Sequence, residues 1–480
     1  MLIVTNLRMG CDHGNTFHPI HRLDVGTLGE IFLLVVEEQK LYSATMIERP
    51  KNALAETPLL FGAICKAWRA VAWAFPRLWT TLSFPIRSTS NTVIFYAIVR
   101  EWLQRTGVLP LVIGITCFSG PTYSLYPLLD LLKQYSNRWR RLDVQFLANS
   151  FLLTHLLNNG VSTSCLDVLN INTVECEEVS PPRLELDHVN TAWTHSPKIL
   201  TCDIELPRSM IRWHFLQEVD FQHVLHLNHF LRFLQDAPKV TICRVGMLRL
   251  SEFPDEDTPL DRHSRSPFFL HHLHLEHLEI EFESDPLEDT AGEVSTINEL
   301  ISYLKLPSLK SLTIALGSIP FDAAYADILI SLITNSACSL QVFKQAALFR
   351  SGDDEDQLLR LLLRMPTLEW LGIRSRDRRF GISDHFFRQL LSLEGDPNLL
   401  PTLKVLEYTG PRKLSWFNPV AIWTQKIVYG PGQGGHFAER SVVEIITEGY
   451  QVRRAREDAG DTDERIYQEI EVIIQWSPFD

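Results

Sequence analysis

Apolar residues recur with one short spacing along most of the chain beyond residue 135. The spacing is an apolar residue, two other residues, an apolar residue, one other residue and a third apolar residue. Alternate residues of a strand share one face, so the last two apolar residues of each triplet predict a short strand with a buried side. Seven triplets fit: Trp139/Leu142/Val144, Leu166/Leu169/Ile171, Leu216/Val219/Phe221, Leu275/Leu278/Ile280, Leu309/Leu312/Ile314, Leu368/Leu371/Ile373 and Leu403/Leu406/Tyr408.

The triplets follow one another as irregular repeats. A weaker copy, Leu340/Phe343, stands between two good ones, and from residue 275 onward the interval is about 30 residues, within the range of solenoid repeats. Helix-compatible runs at 227–238, 324–336 and 354–366 lie between the predicted strands. This order predicts strand-helix repeats on one parallel sheet, built in sequential order. Its buried middle residues include Leu278, Leu312, Leu371 and Leu406.

The spacing is ambiguous between residues 199 and 250. Three triplets fit there, and the last two overlap, so they cannot both mark independent strands: Ile199/Cys202/Ile204, Val240/Cys243/Val245 and Val245/Leu248/Leu250. The charged segment 252–267 that follows is interpreted as an insertion on a loop.

A helical pattern precedes the repeats. Thr27 and Glu30 have the spacing of a capping box, and apolar residues follow at helical offsets. Gly26 and Gly29 fall near the start, and a glycine costs about 1 kcal/mol relative to alanine in a helix interior. The pattern predicts a short amphipathic helix whose apolar face contains Leu28, Ile31, Phe32 and Val35.

A second helix is predicted from Pro58 to about Phe75. Proline suits a first helical turn, and Pro76 disfavours helical backbone at the residue before it. One stripe of this helix is apolar, whereas Lys66 and Arg69 lie on another face. The stripe consists of Leu60, Ile64, Trp68 and Val71.

The chain changes character after Tyr429. A glycine-rich stretch at 430–435 leads into an acidic end, where Ile466, Ile470 and Ile473 have helical spacing behind Asp461 and Glu464. We predict a flexible acidic tail with one helix.

Composition disfavours some classes of function and cellular location. The 45 Lys+Arg and 58 Asp+Glu residues give a formal charge of -13, which disfavours binding to phosphate backbones, so no nucleic-acid partner is expected. The 8 cysteines show no metal-finger spacing and are interpreted as reduced thiols. The first residues do not resemble a secretory signal, and no apolar run approaches the length of a membrane span. These features predict a soluble protein of the cytoplasm or nucleus, without a membrane partner.

Candidate chemistry is sparse. His271, His272, His274 and His277 lie among the leucines of one predicted strand, which places them on its solvent side as ordinary polar residues. A second group, His223, His226 and His229, has no HExxH motif beside it, and the 430–435 glycines lack a following Lys-Ser/Thr. No nucleophile motif occurs. We therefore expect no metal, no cofactor, no catalytic residue and no enzymatic activity.

The stretch from Pro58 to Phe84, "PLLFGAICKAWRAVAWAFPRLWTTLSF", resembles the second half of an F-box. The resemblance rests on Ile64-Cys65-Lys66-x-Trp68-Arg69 and on the exit Pro76-Arg77-Leu78-Trp79, which is typical of F-box families in mushroom-forming fungi. Family members open with Leu-Pro-Pro-Glu, where this chain has Asp24-Val25-Gly26 after Leu23. The Leu28 and Glu30-Ile31-Phe32-Leu33 part matches the family.

The resemblance implies an α/β protein with a small all-helical F-box-like unit and an irregular leucine-rich-repeat solenoid. The expected domains are an extension at 1–19, the helical unit at 20–84, the solenoid at 85–430 and the acidic tail at 431–480. Trp73 and Trp79 are expected to pack the helical unit against the first repeat. Trp68 is either core or partner surface.

The resemblance also implies a function. F-box helices dock on the Skp adaptor and through it on a cullin, while the repeats hold a substrate protein for ubiquitin transfer. The alternative is a leucine-rich-repeat scaffold whose degenerate F-box no longer binds the adaptor. The residues that the resemblance assigns to the adaptor interface are Leu23, Leu28, Ile31, Phe32, Leu59, Leu60, Ile64 and Val71.

Overall fold

The computed structural model of the chain describes most of the elements that the sequence predicts. The described residues are 23–45, 58–86, 92–117, 125–147, 153, 155–156, 165–174, 196–204, 206, 211–249, 270–283, 297–298, 300–375, 382–390, 400, 402–411, 440–449 and 469–478. The chain divides into two compact units, Met1–His195 and Ser196–Asp480. Each unit combines helices with a parallel sheet, so the α/β prediction is confirmed for both.

The first unit opens with helices and continues as a sheet. Its helical elements are α1 (Val25–Thr45), α2 (Pro58–Ile64), α3 (Lys66–Ala74) and a 3-10 turn (Pro76–Trp79). Then follow β1 (Thr81–Ile86), α4 (Thr92–Arg105), β2 (Leu111–Cys117), α5 (Tyr126–Lys133), a 3-10 turn (Ser136–Arg138), β3 (Trp139–Leu147) and β4 (Val168–Val174). The four strands pair in parallel and in chain order.

The second unit is a longer series of the same kind. It contains β5 (Ile199–Cys202), β6 (Glu218–His226), α6 (Leu227–Asp236), β7 (Ile242–Arg249), β8 (Leu270–His271), β9 (His277–Glu283), β10 (Leu304–Lys305), β11 (Ser311–Pro320), α7 (Ala323–Ser336), β12 (Val342–Leu348), α8 (Gly352–Leu362), β13 (Trp370–Ser375), α9 (Asp384–Leu390), β14 (Val405–Pro411), β15 (Arg440–Gly449) and β16 (Glu469–Pro478). The parallel order is β5-β6-β7-β9-β11-β12-β13-β14, and β16 and β15 extend it antiparallel. Strands β8 and β10 form a separate parallel pair.

The triplet prediction is confirmed. Every residue of the seven triplets is buried, and so are Leu340 and Phe343. From β9 to β14 the register matches as well, because each middle residue there pairs with the middle residue of the next strand in the sheet. The paired row in the second unit runs through Leu278, Leu312, Phe343, Leu371 and Leu406.

The three ambiguous triplets between residues 199 and 250 belong to two strands, β5 and β7. On β7 the buried triplet is Val240/Cys243/Val245, and Leu248 lies farther along the same strand. On β5 the inward residues are Leu200 and Cys202, and Leu200 pairs with Val219, the middle residue of the next triplet. The triplet Ile199/Cys202/Ile204 is therefore placed two positions too far along the chain, and Ile199 is only half-buried. The predicted helices at 227–238, 324–336 and 354–366 are present as α6, α7 and α8.

The helix predicted in the acidic tail is wrong. Ile470 and Ile473 lie on β16, which pairs antiparallel with both β14 and β15. The reason is visible in "EIEVIIQW", where β-branched residues alternate with polar ones and so favour a strand over a helix. The extension at 1–19, the insertion at 252–267 and the glycine-rich stretch at 430–435 lie outside the described residues.

His272 is buried, contrary to the prediction that the histidines of this strand face solvent. His271, His274 and His277 are exposed, but His272 is 2% exposed. Its Nδ1 accepts a hydrogen bond from the Leu275 backbone N–H at 3.1 Å, so Nε2 carries the proton that it donates to the Ala237 carbonyl at 3.0 Å. The ring therefore connects the end of α6 to the turn before β9 in its neutral form.

The buried ring predicts a loss of stability in acid. Removal from water lowers the pKa of His272 from its ordinary value of 6.5, so the unfolded chain takes up a proton before the folded one does. The stabilisation is complete above about pH 6.5 and declines as the pH falls toward the lowered pKa, by at most about 1.4 kcal/mol per pH unit. We expect His272→Gln to be less stable than the parent at pH 7.5 and the difference to shrink by pH 5.5, as measured by urea unfolding. A difference that stays constant with pH would contradict this.

Candidate functional site

Helix α1 begins earlier than the capping-box prediction placed it, and Asp24 caps it. The Asp24 Oδ1 accepts hydrogen bonds from the backbone N–H groups of Gly26 at 2.9 Å and Thr27 at 3.0 Å, and the Thr27 hydroxyl donates to Oδ2 at 2.6 Å. These bonds also lower the pKa of Asp24 below its ordinary value, the Thr27 hydroxyl making the largest contribution. The Thr27/Glu30 box is therefore wrong, and Glu30 pairs with Arg77 instead.

One face of α1 is the core of the helical segment. Leu28, Phe32, Leu33 and Val36 are buried on it. The Phe32 ring stacks on Phe61 of α2 with centroids 4.1 Å apart and lies 4.9 Å from the Trp68 ring of α3. Trp68 itself is half-buried. The three helices are thus joined by one aromatic cluster.

The single helix predicted from Pro58 to Phe75 is two helices that break at Cys65. The Cys65 backbone is extended, and its Sγ accepts the Trp68 N–H at 3.4 Å as the cap of α3. The Arg69 Nε donates to the Gly62 carbonyl at 2.7 Å, which satisfies a free carbonyl near the end of α2. The residues that carry the F-box resemblance therefore have a local structural role: they hold α2 and α3 together.

Two glycines allow close packing. A Cβ at Gly29 would lie 2.6 Å from the Phe75 ring, and one at Gly62 would lie 2.3 Å from the Trp73 ring. Both distances are shorter than any normal contact, so the low helix propensity of these positions is offset by the tight approach of the aromatic rings.

Trp79 joins the helices to the first strand. Its indole Nε1 donates to the Ala72 carbonyl at 2.7 Å, and its own carbonyl accepts from the Trp102 indole of α4 at 2.6 Å. The Trp73 ring meets it edge-on at 5.3 Å, and the Arg105 guanidinium lies 4.9 Å from its centroid. The prediction that Trp73 and Trp79 are structural is confirmed.

The eight residues assigned to adaptor binding occupy three environments. Leu28, Phe32 and Val71 are buried inside the helical segment. Half-buried positions are Leu59, Leu60 and Ile64. Exposed positions are Leu23 and Ile31.

The structure shows two further exposed apolar residues on α1 that the sequence did not assign to the adaptor interface. Leu34 is 65% exposed, and Val35, which was predicted on the same apolar face as the buried Leu28 and Phe32, is 38% exposed. They follow Ile31 at offsets of 3 and 4, which is the spacing of one helix face. The sequence spacing therefore already indicated that these three residues form one row on α1. We define the outer apolar set as seven exposed or half-buried apolar residues that lie just before α1, on α1 and on α2: Leu23, Ile31, Leu34, Val35, Leu59, Leu60 and Ile64.

The described residues contain no cluster of three or more His, Cys, Asp or Glu side chains suited to a metal ion. The Cys202 and Cys243 thiols are fully enclosed in the sheet core, and burial raises the pKa of each well above its ordinary value. Such thiols stay protonated and act as small apolar core groups. The described helices also include none that is long and apolar enough to cross a bilayer.

Comparison with known proteins does not assign this chain: no protein-family model matches it, and no curated protein matches it either.

The close approach at Gly62 predicts a matched pair of effects. Gly62→Ala should destabilise the first unit by about 1–3 kcal/mol, the usual cost of overpacking. The added Cβ would overlap the Trp73 ring, and the edge-on contact of that ring with Trp79 limits how far it can move away. Gly26→Ala is the control, since its Cβ would meet only the Asp24 carboxylate at 3.1 Å. The free energy of unfolding of Gly26→Ala should be within about 0.5 kcal/mol of that of the parent, or higher. Urea unfolding followed by tryptophan fluorescence measures both, and equal effects would contradict the packing argument.

Proposed function

We propose that this chain is a substrate-recognition adaptor of a Skp-cullin-F-box ubiquitin ligase. In this proposal α1 and α2 dock on the Skp adaptor, and the parallel sheet binds the substrate protein. The observation that carries the proposal is the outer apolar set, which leaves apolar side chains facing outward on the helices whose sequence resembles an F-box.

The exposed residues need an explanation because the helical segment already has a core. Phe32, Phe61 and Trp68 fill the space between α1, α2 and α3, so Ile31, Leu34 and Val35 are not required for it. Contiguous apolar groups on a protein surface typically mark an interaction site. Proteins also commonly bind a partner through an apolar helix face. When the helix is already packed against its neighbours, little conformational entropy is lost on association.

The start of α1 favours the adaptor over the scaffold alternative. The missing Leu-Pro-Pro-Glu turn was the departure that pointed to a degenerate F-box. In its place, Asp24 accepts three hydrogen bonds and orders the first turn of α1. The helix that carries Ile31 and Leu34 is therefore capped without the proline turn.

The test is binding of the full chain to purified Skp adaptor. Replacing Leu60 and Ile64 together by Ala should weaken binding by about 2–4 kcal/mol, roughly 30-fold or more, because a few apolar anchors carry most interface energy. Leu34→Glu should weaken it as well, and at 65% exposure this change leaves the fold intact. Calorimetric titration gives the affinities, and thermal unfolding of each variant reports the fold.

The matched control is a second pair of apolar truncations outside the outer apolar set. Val93 and Ile94 of α4 are 82% and 61% exposed, so Val93→Ala with Ile94→Ala removes similar groups without touching α1 or α2. This double variant should bind as the parent does. A parent that does not bind at micromolar concentrations would refute the adaptor proposal and leave the scaffold alternative. Equal losses in both double variants would refute the assigned surface.

A further inference from the structure

The outward side of β12, β13 and β14 carries an aromatic residue between two aliphatic ones. Val342, Trp370 and Val405 are in direct register on these neighbouring strands, and all three are half-buried. Their neighbours along the strands, Phe343, Leu371 and Leu406, are buried on the other side. The row of Val342, Trp370 and Val405 is therefore an apolar strip on the face opposite to the core.

A fixed polar arrangement lies directly beside this strip. The Glu407 Oε2 accepts hydrogen bonds from the Lys344 Nζ at 2.9 Å and from the Trp370 indole at 3.2 Å, and the Lys344 Nζ lies 4.7 Å from the Trp370 ring centroid. Lys344 reaches Glu407 across the intervening strand because Gly372 has no side chain, and a Cβ there would lie 2.9 Å from the Lys344 Cγ. These contacts thus fix the orientation of the Trp370 ring in the unbound chain.

Arg374 provides a positive charge at the other end of β13. It is exposed and stands in register between Ala346 and Thr409, two small side chains that leave space around the guanidinium. Within the described part of the chain no carboxylate lies within ion-pair distance of it, whereas Lys344 is neutralised by Glu407.

More arginines follow Arg374 in the sequence. Residues 374–379, "RSRDRR", contain four arginines and one aspartate in a chain whose formal charge is -13. Arg374 therefore begins an arginine-rich stretch of the sequence, and an anionic group of a partner complements its charge.

We propose that this surface binds an extended acidic segment of a partner protein. The β13 patch consists of Val342, Lys344, Trp370, Arg374, Val405 and Glu407. An aliphatic or aromatic side chain of the partner packs on Trp370 and its flanking valines, and a carboxylate pairs with Arg374. This inference rests on the proposed function, in which the sheet holds the substrate, and it gives that substrate a chemical class.

The geometry sets the spacing of the two recognised groups. Trp370 and Arg374 are four residues apart on one strand, which corresponds to about 13 Å at 3.3 Å per residue. An extended peptide covers the same length in four residues. The apolar residue and the acidic residue of the partner should therefore stand three to five positions apart.

The experiment is selection of a random twelve-residue peptide library, displayed on phage, against the full immobilised chain. Enriched peptides should carry net negative charge and an apolar residue three to five positions from a glutamate or aspartate. Synthetic copies of them, measured by fluorescence polarisation, should bind Arg374→Glu and Trp370→Ala at least tenfold more weakly than the parent. Arg374→Glu changes an exposed side chain and preserves the fold even where Trp370→Ala disturbs it.

Arg364→Glu is the matched control, because Arg364 is an exposed arginine in the turn after α8, outside the β13 patch. It should bind the selected peptides as the parent does. Neutral or basic enriched peptides, no enrichment, or equal losses for Arg364→Glu and Arg374→Glu would each overturn the proposal. No Skp adaptor is present in this assay, so its outcome is independent of adaptor binding and the two proposals can fail separately.

Discussion

The lateral register of the buried row is the constraint on which the second unit depends. Leu278, Leu312, Phe343, Leu371 and Leu406 pair directly across neighbouring strands, so the core is continuous from one repeat to the next. Because side chains alternate along a strand, fixing this inner row also fixes every outward residue into rows of its own. The positions of Trp370 and Arg374 on one face are a direct consequence. The arrangement of the outward side chains on this face is therefore determined by the same pattern that builds the core.

In the first unit the equivalent role belongs to Trp79. It takes part in the hydrogen bonds of α3 and α4 and precedes Leu82 and Phe84 with the spacing of the repeat triplets. The stretch Pro76–Trp79, interpreted from sequence as the exit of a helical unit, is thus a 3-10 turn that leads directly into β1, the first strand of the sheet. A partner bound to α1 and α2 would be held at a defined distance from β1, since little flexible chain separates them.

Much of this architecture could be predicted from sequence, because burial on a strand leaves a strict period. The triplets, the helices α6, α7 and α8, and the structural role of Trp79 all follow from apolar spacing. Features that depend on three-dimensional contacts could not be predicted. The burial of His272 depends on the Ala237 carbonyl, and the break at Cys65 depends on the reach of Arg69 to Gly62. The sequence predicts that Ile31, Leu34 and Val35 have helical spacing. It does not predict that they are exposed, because it does not show which side of α1 the other helices cover.

The most direct test of the account is hydrogen-deuterium exchange of the full chain with and without purified Skp adaptor. If the outer apolar set is the docking surface, adding the adaptor will slow amide exchange in residues 23–36 and 58–64. Exchange in β9, β11, β12, β13 and β14 will stay unchanged, because the sheet is assigned to a different partner. Unchanged exchange in α1 and α2, or slowing confined to the sheet strands, would contradict the account.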